Sequence, residues 1–125
     1  HKQLKKILQR INIQGEEWKK AVEFRDKSWY SRDICQLLDY YNAAVVLHDM
    51  PASGTQELNE AASFVYCRFH GEKGDYRGNY SRKALEKTAE HIQHWEHEGK
   101  EVYVYFNNTI GNAFENARTL QQLCH

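Results

Sequence analysis

A chain of 125 residues with 17 basic and 17 acidic side chains carries a formal net charge of zero. No global field therefore draws it to nucleic acid or a membrane surface, and any anion site has to be a local cluster. No run of 18 apolar residues and no charged-then-apolar leader is present, which argues against a membrane span or a secretory signal.

The length suits one domain with a modest core. Its first element is helical, because Leu4, Ile7, Leu8 and Ile11 recur at i, i+3, i+4, i+7 spacing. The chain opens at His1 inside this pattern and Met50 is its only methionine. The expectation is a single domain over residues 1–125 that is a fragment of a larger protein. Residues 21–25 then read as a strand, with Val22 and Phe24 on one face and Glu23 and Arg25 on the other. Ser31 is the natural N-cap of a second helix carrying Ile34, Leu37, Leu38 and Tyr41. A second strand spans residues 44–49, and residues 50–62, with the only proline, read as a loop or short irregular stretch.

Residues 64–71 form a third strand, with Val65, Cys67 and Phe69 opposite Tyr66, Arg68 and His70. The loop 71–80 holds three glycines and two tyrosines, more than a plain connector requires. Ser81 opens a third helix through Leu85, Ala89, Ile92 and Trp95, which Gly99 terminates. The last strand, 102–108, sets Val102, Val104 and Phe106 against Tyr103, Tyr105 and Asn107, and a fourth helix starts near Gly111. Strands alternating with helices mean βαβ units and a parallel sheet. Four such units cannot close on themselves, whereas eight make a TIM barrel with its sites at the C-terminal strand ends. The expected fold is therefore α/β: half of a TIM-type (β/α) barrel, about four parallel strands with outer helices.

Charged groups are rarely buried without partners, so polar residues recurring at one strand end point to a site. Arg25 and Arg68 are suited to clamp an anion as planar forks. His70, Glu23 and Asp49 are the acid/base candidates and are assigned as catalytic. Asn107 and Asn108 close the last strand, where the N–H groups of a helix start would add donors. Tyr76, Tyr80, Tyr103 and Tyr105 offer flat faces for a base or sugar. Glu23, His48, Asp49 and His70 are metal-ligand types, yet Arg25 and Arg68 would set two cations beside any metal. His48 also alternates opposite to Asp49, so the two are not expected to share one cavity, and no metal is assigned. The histidines at 91, 94 and 97 read as a solvated helix face. No residue pattern names a cofactor. The three cysteines (Cys35, Cys67, Cys124) form no C-x-x-C pair, which fits a reducing, cytoplasmic setting without a disulfide framework.

Glu23-Phe24-Arg25, Ser28-Trp29-Tyr30, Asp49, Tyr66-Cys67-Arg68-Phe69-His70-Gly71, Tyr76-Arg77-Gly78-Asn79-Tyr80 and the run from Val102 to Thr109 resemble, in this order, the YecE-like family (domain of unknown function 72). Asp26-Lys27 departs from its usual pair after Arg25, and His48 stands where a smaller or acidic residue is common. The resemblance implies a TIM-type barrel about twice this length, with this chain as its C-terminal half. It implies family motif positions at Glu23, Arg25, Trp29, Asp49, Arg68, His70, Gly71, Tyr76, Gly78, Tyr80, Phe106, Asn107 and Asn108, and no settled reaction. The expected activity is binding of a small phosphorylated or anionic ligand, with phosphoester hydrolysis as the reaction by analogy with other barrels. A non-catalytic nucleotide or nucleic-acid binding module is the alternative, and a homodimer through exposed sheet edges is a further expectation.

Overall fold

The structure, a computed structural model, describes residues 1–12 and 18–125. Helix α1 (Lys2–Asn12) precedes strand β1 (Lys20–Val22), a 3₁₀ turn (Lys27–Trp29) and helix α2 (Arg32–Tyr40). Strands β2 (Ala43–Val45) and β3 (Leu47–His48) follow, then β4 (Phe64–Phe69), α3 (Arg82–His97), β5 (Glu101–Phe106) and α4 (Ala113–Cys124). Every strand ladder is parallel: β1 pairs with β2, β3 with β4, and β4 with β5. β2 and β3 are one strand interrupted at Val46, whose N–H donates to Val22 O at 2.8 Å. The spatial order thus follows the chain order. No strand partner lies beyond β1 or β5 among the described residues, so both sheets are open. No described helix is long and apolar enough to cross a membrane.

Local chemistry accounts for the helix ends. Ser31 and Ser81 accept from Ile34 N and Ala84 N, each satisfying one donor that a helix start leaves free. At the end of α3, Gly99 adopts φ +85° while its N–H reaches Glu96 O and Lys100 N reaches Trp95 O. This is a Schellman closure, in which glycine takes the left-handed turn at no steric cost. The stretch 50–62 takes the place of a crossover helix. Asn59 holds it to β2, donating to Ala43 O at 2.9 Å and accepting from Val45 N at 2.8 Å.

The sheet has two unlike faces. Leu4, Leu8, Ile34 and Leu38 from α1 and α2 bury against Val45, Leu47, Val65 and Cys67. Leu85, Ala89, Ile92 and Leu120 from α3 and α4 pack with Phe69, Val102, Val104 and Phe106. Burial in this layer pushes the Cys67 thiol up to about 12. The opposite face bounds a concave space of about 1020 Å³ that Glu23, Val46, Tyr66, Arg68, Tyr103 and Tyr105 help to line. The alternation in β4 and β5 therefore divides apolar from polar as the sequence implies.

Three boundaries differ from expectation. β1 stops at Val22, so Glu23, Phe24 and Arg25 lie just past the strand. The run 44–49 is broken at Val46 rather than continuous. The fourth helix begins at Ala113, with Asn112 as a cap that makes no side-chain bond.

Candidate functional site: a half-satisfied polar cluster at the strand ends

β1 delivers Glu23 and β4 delivers Arg68 to the same end of the concave face. Arg68 Nη1 lies 2.5 Å from Glu23 Oε2, and Arg68 Nε donates to Asn107 Oδ1 at 3.1 Å. Arg25 Nε lies 3.0 Å from Glu23 Oε1, with half of its side chain exposed. Two guanidinium groups thus share one carboxylate, while the outer parts of Arg25 remain in solvent.

His70 follows β4 and is fully buried. Its Nε2 is 3.7 Å from Glu23 Oε1, too long for a hydrogen bond. Neither ring nitrogen has a partner, and Glu23 Oε1 has none of good geometry. Buried polar atoms are normally bonded, so three open atoms in one place call for an explanation. Burial, and then the Arg68 charge, hold the His70 pKa below the ordinary imidazole value, against a weaker opposing pull from Glu23 and Asp49. The ring is neutral at pH 7.

His48 belongs to this cluster and Asp49 does not: the two alternate to opposite sides, and His48 is the one beside Glu23 and His70. In β3, Leu47 pairs with Cys67 on the apolar side and His48 with Arg68 on the concave side. Its Nε2 lies 3.1 Å from Phe24 O and 3.2 Å from the Tyr30 hydroxyl, and Met50 N approaches Nδ1 at 3.4 Å. One ligand atom each from Glu23, His48 and His70 lies within 4.8 Å of the other two. Sequence reasoning missed this because Ala44, Val45, Val46 and Leu47 are apolar on both faces and carry no readable phase.

Asp49, one residue past β3, turns to the backbone instead. Its Oδ1 accepts from His70 N at 2.7 Å and its Oδ2 accepts from the Tyr80 hydroxyl. That hydroxyl in turn accepts from Gly71 N at 2.8 Å. Burial and the Asp49 bond push the Tyr80 pKa far up, so the phenol stays protonated. Gly71 is required where the chain turns, since its φ is +99° and a Cβ would stand 2.5 Å from Arg77 O.

Asn108 is also buried, donating to Gly78 O at 3.1 Å and to Asn116 Oδ1 at 3.0 Å. The expected helix-start donors after Asn107-Asn108 are absent there, because the helix opens at Ala113. Two of the intervening backbone N–H groups are committed to the 71–80 loop, Ile110 N donating to Tyr76 O and Asn112 N to Gly78 O, while Gly111 N turns back to Asn108 O. Tyr76 itself adopts φ +63°, its N–H bonded to His70 O at 2.8 Å. Its ring meets the His70 ring edge-on at 5.6 Å between centroids. A non-glycine residue held left-handed is a strained position of the kind that gathers at functional sites.

Tyr105 stacks on Tyr66 at 4.9 Å, half-exposed on the concave face. Tyr103 lies lower in the same face, bonded to Glu101 and Lys19. The structure therefore joins Glu23, Arg25, Arg68, His70 and Asn107 through direct approaches and adds His48. Asp49, Tyr80 and Asn108 sit in a braced layer behind them.

The family described as "Protein of unknown function DUF72" matches residues 1–125; the YecE-like family is the same family. Two crystal structures of a DUF72 family protein from Enterococcus faecalis V583 superpose with TM-scores of 0.79 and 0.75, at 23% and 24% identity. They are covered over 54% and 55% of their length by 99% and 98% of this chain. A DUF72 family protein from Thermotoga maritima MSB8 matches with a TM-score of 0.74 at 26% identity, over 96% of this chain and 49% of that one. The chain thus spans about half the length of the solved structures it matches. No curated protein matches it.

Proposed function

The chain belongs to the DUF72 family, and on that premise we propose that it supplies the C-terminal half of a TIM-type barrel whose strand ends bind a phosphorylated or otherwise anionic ligand. The half-barrel reading is supported by parallel strands laid down in chain order and by relatives about twice as long. Three free cysteines fit a cytoplasmic setting.

Arg25 and Arg68 would hold the anion: Arg68 from a fixed position, braced by Asn107, and Arg25 from solvent. Glu23 and His70 would face the reacting side, and Tyr76 would wall the site above His70. The reaction that suits an anion clamp beside a neutral imidazole and a carboxylate is phosphoester hydrolysis. The observation that carries this reading is His70, fully buried with both ring nitrogens unpartnered and its Nε2 nearest a carboxylate that Arg68 restrains.

Calorimetric titration with inorganic phosphate and with a mononucleotide tests it. Arg68→Ala is expected to weaken both by at least about tenfold, the worth of one charge-assisted pair. Unchanged affinity in that variant removes the proposal. The exposed Tyr66–Tyr105 stack favours one second reading, a non-catalytic nucleotide-binding face. In that case Tyr105→Ala weakens the mononucleotide and leaves phosphate unaffected.

A further inference from the structure

We propose that Glu23, His48 and His70 hold a divalent cation of the zinc type at the strand ends. The inference rests on the same cluster as the anion reading and deepens it by naming what the open atoms are for.

Two imidazoles and one carboxylate form the donor set of catalytic zinc sites, which keep a further position open. The cluster has the features such a site requires. His70 is fully buried, and neither of its nitrogens is engaged. Glu23 presents Oε1 while Oε2 is held by Arg68, so the carboxylate is oriented for one-oxygen ligation. Bonds of about 2.0–2.2 Å set neighbouring donor atoms roughly 3–3.5 Å apart. His70 Nε2 and Glu23 Oε1 stand 3.7 Å apart, and the triad closes within 4.8 Å. Only a small side-chain shift separates this geometry from a bound one.

His48 completes the set: its Nε2 lies against the Phe24 carbonyl and the Tyr30 hydroxyl and Met50 N reaches its Nδ1 at 3.4 Å, so ligation displaces the contact on one nitrogen while that on the other orients the ring. Metal-bound histidines are characteristically oriented by such partners. The second groups around His70 are equally rigid: Asp49 holds its backbone N–H, and the Tyr76 ring closes one side.

Charge is the obstacle, because two arginines adjoin Glu23. Arg25 is half-exposed, and its contact to Oε1 is not a well-formed hydrogen bond. It swings away at little cost. Arg68 lies on the other oxygen, and a phosphate bound between it and the cation offsets the remaining positive charge. Cation and anion then reinforce each other's binding.

Titrating the metal-free 125-residue chain with cobalt(II) reads the coordination sphere directly. One intensely coloured, low-symmetry cobalt per chain is expected. His70→Leu and Glu23→Gln should each weaken it by at least about tenfold, and the exposed-helix variant His94→Ala should not. The chain has seven histidines, so imidazole nitrogen shifts of the unsubstituted protein with zinc(II) provide a readout independent of any variant's folding. Shifts confined to His48 and His70 support the site; shifts confined to the surface rings, or no stoichiometric binding, overturn it. Phosphate titration in the presence of a chelator separates the two proposals. Arg68-dependent phosphate binding that survives chelation, with no cobalt site, leaves the anion reading standing and ends this one.

Discussion

Two polar networks lie side by side at the strand ends, and they are built oppositely. In the first, both oxygens of Asp49 accept bonds, the Tyr80 hydroxyl both donates and accepts, and Asn116 bonds Tyr80, Asn79 and Asn108, so that among these groups only Asn108 Oδ1 is buried without a partner. In the second, neither His70 nitrogen has a partner and Glu23 Oε1 has an ion pair with Arg25 but no hydrogen bond. A densely bonded network stabilises, since each bond there prevents an orphaned buried group. An unsaturated one gives up stability and leaves donor atoms for something else. The densely bonded layer fixes where His70 and Tyr76 stand, and Glu23 of the other network lines the concave space.

The contrast breaks most readily at Asp49. Asp49→Ala leaves His70 N and the Tyr80 O–H without their acceptor, and urea denaturation should show a loss of about 3 kcal/mol or more. An unchanged midpoint would mean that the layer is not structural. Tyr80→Phe removes only the hydroxyl and is expected to cost about 1–3 kcal/mol in the same measurement, with phosphate affinity retained in the folded fraction. Arg68→Lys keeps the charge but loses the fork to Glu23 and Asn107, so phosphate affinity should fall about five- to tenfold while thermal stability changes little. His70→Leu sharpens the comparison from the other side. Replacing an unbonded polar ring by an apolar side chain should leave the folding free energy within about 1 kcal/mol, or raise it, while removing ligand binding. A large destabilisation in this last variant would assign His70 to the structural layer.

Much of this arrangement is legible without coordinates. The period-2 pattern of β4 and β5 separates Val65, Cys67, Val102 and Val104 from Tyr66, Arg68, Tyr103 and Tyr105. Ser31, Ser81 and Gly99 mark helix ends through chemistry confined to a few neighbouring residues. These are local signals, and local signals survive in sequence. Which of His48 and Asp49 joins the cluster is not legible, because the apolar run before them carries no phase and only the pairing of His48 with Arg68 settles its face. The start of α4 differs from expectation because Asn108, Ile110 and Asn112 bond the 71–80 loop, a partner some thirty residues away.

The sequence by itself determined which elements form and in what order, together with the residue types gathered at the strand ends, because periodicity and capping act over single turns. Only the tertiary structure decided which of those polar atoms find partners. A carboxylate such as Asp49 or Glu23 looks the same in sequence, and its fate depends on groups brought to it from strands twenty to forty-five residues away.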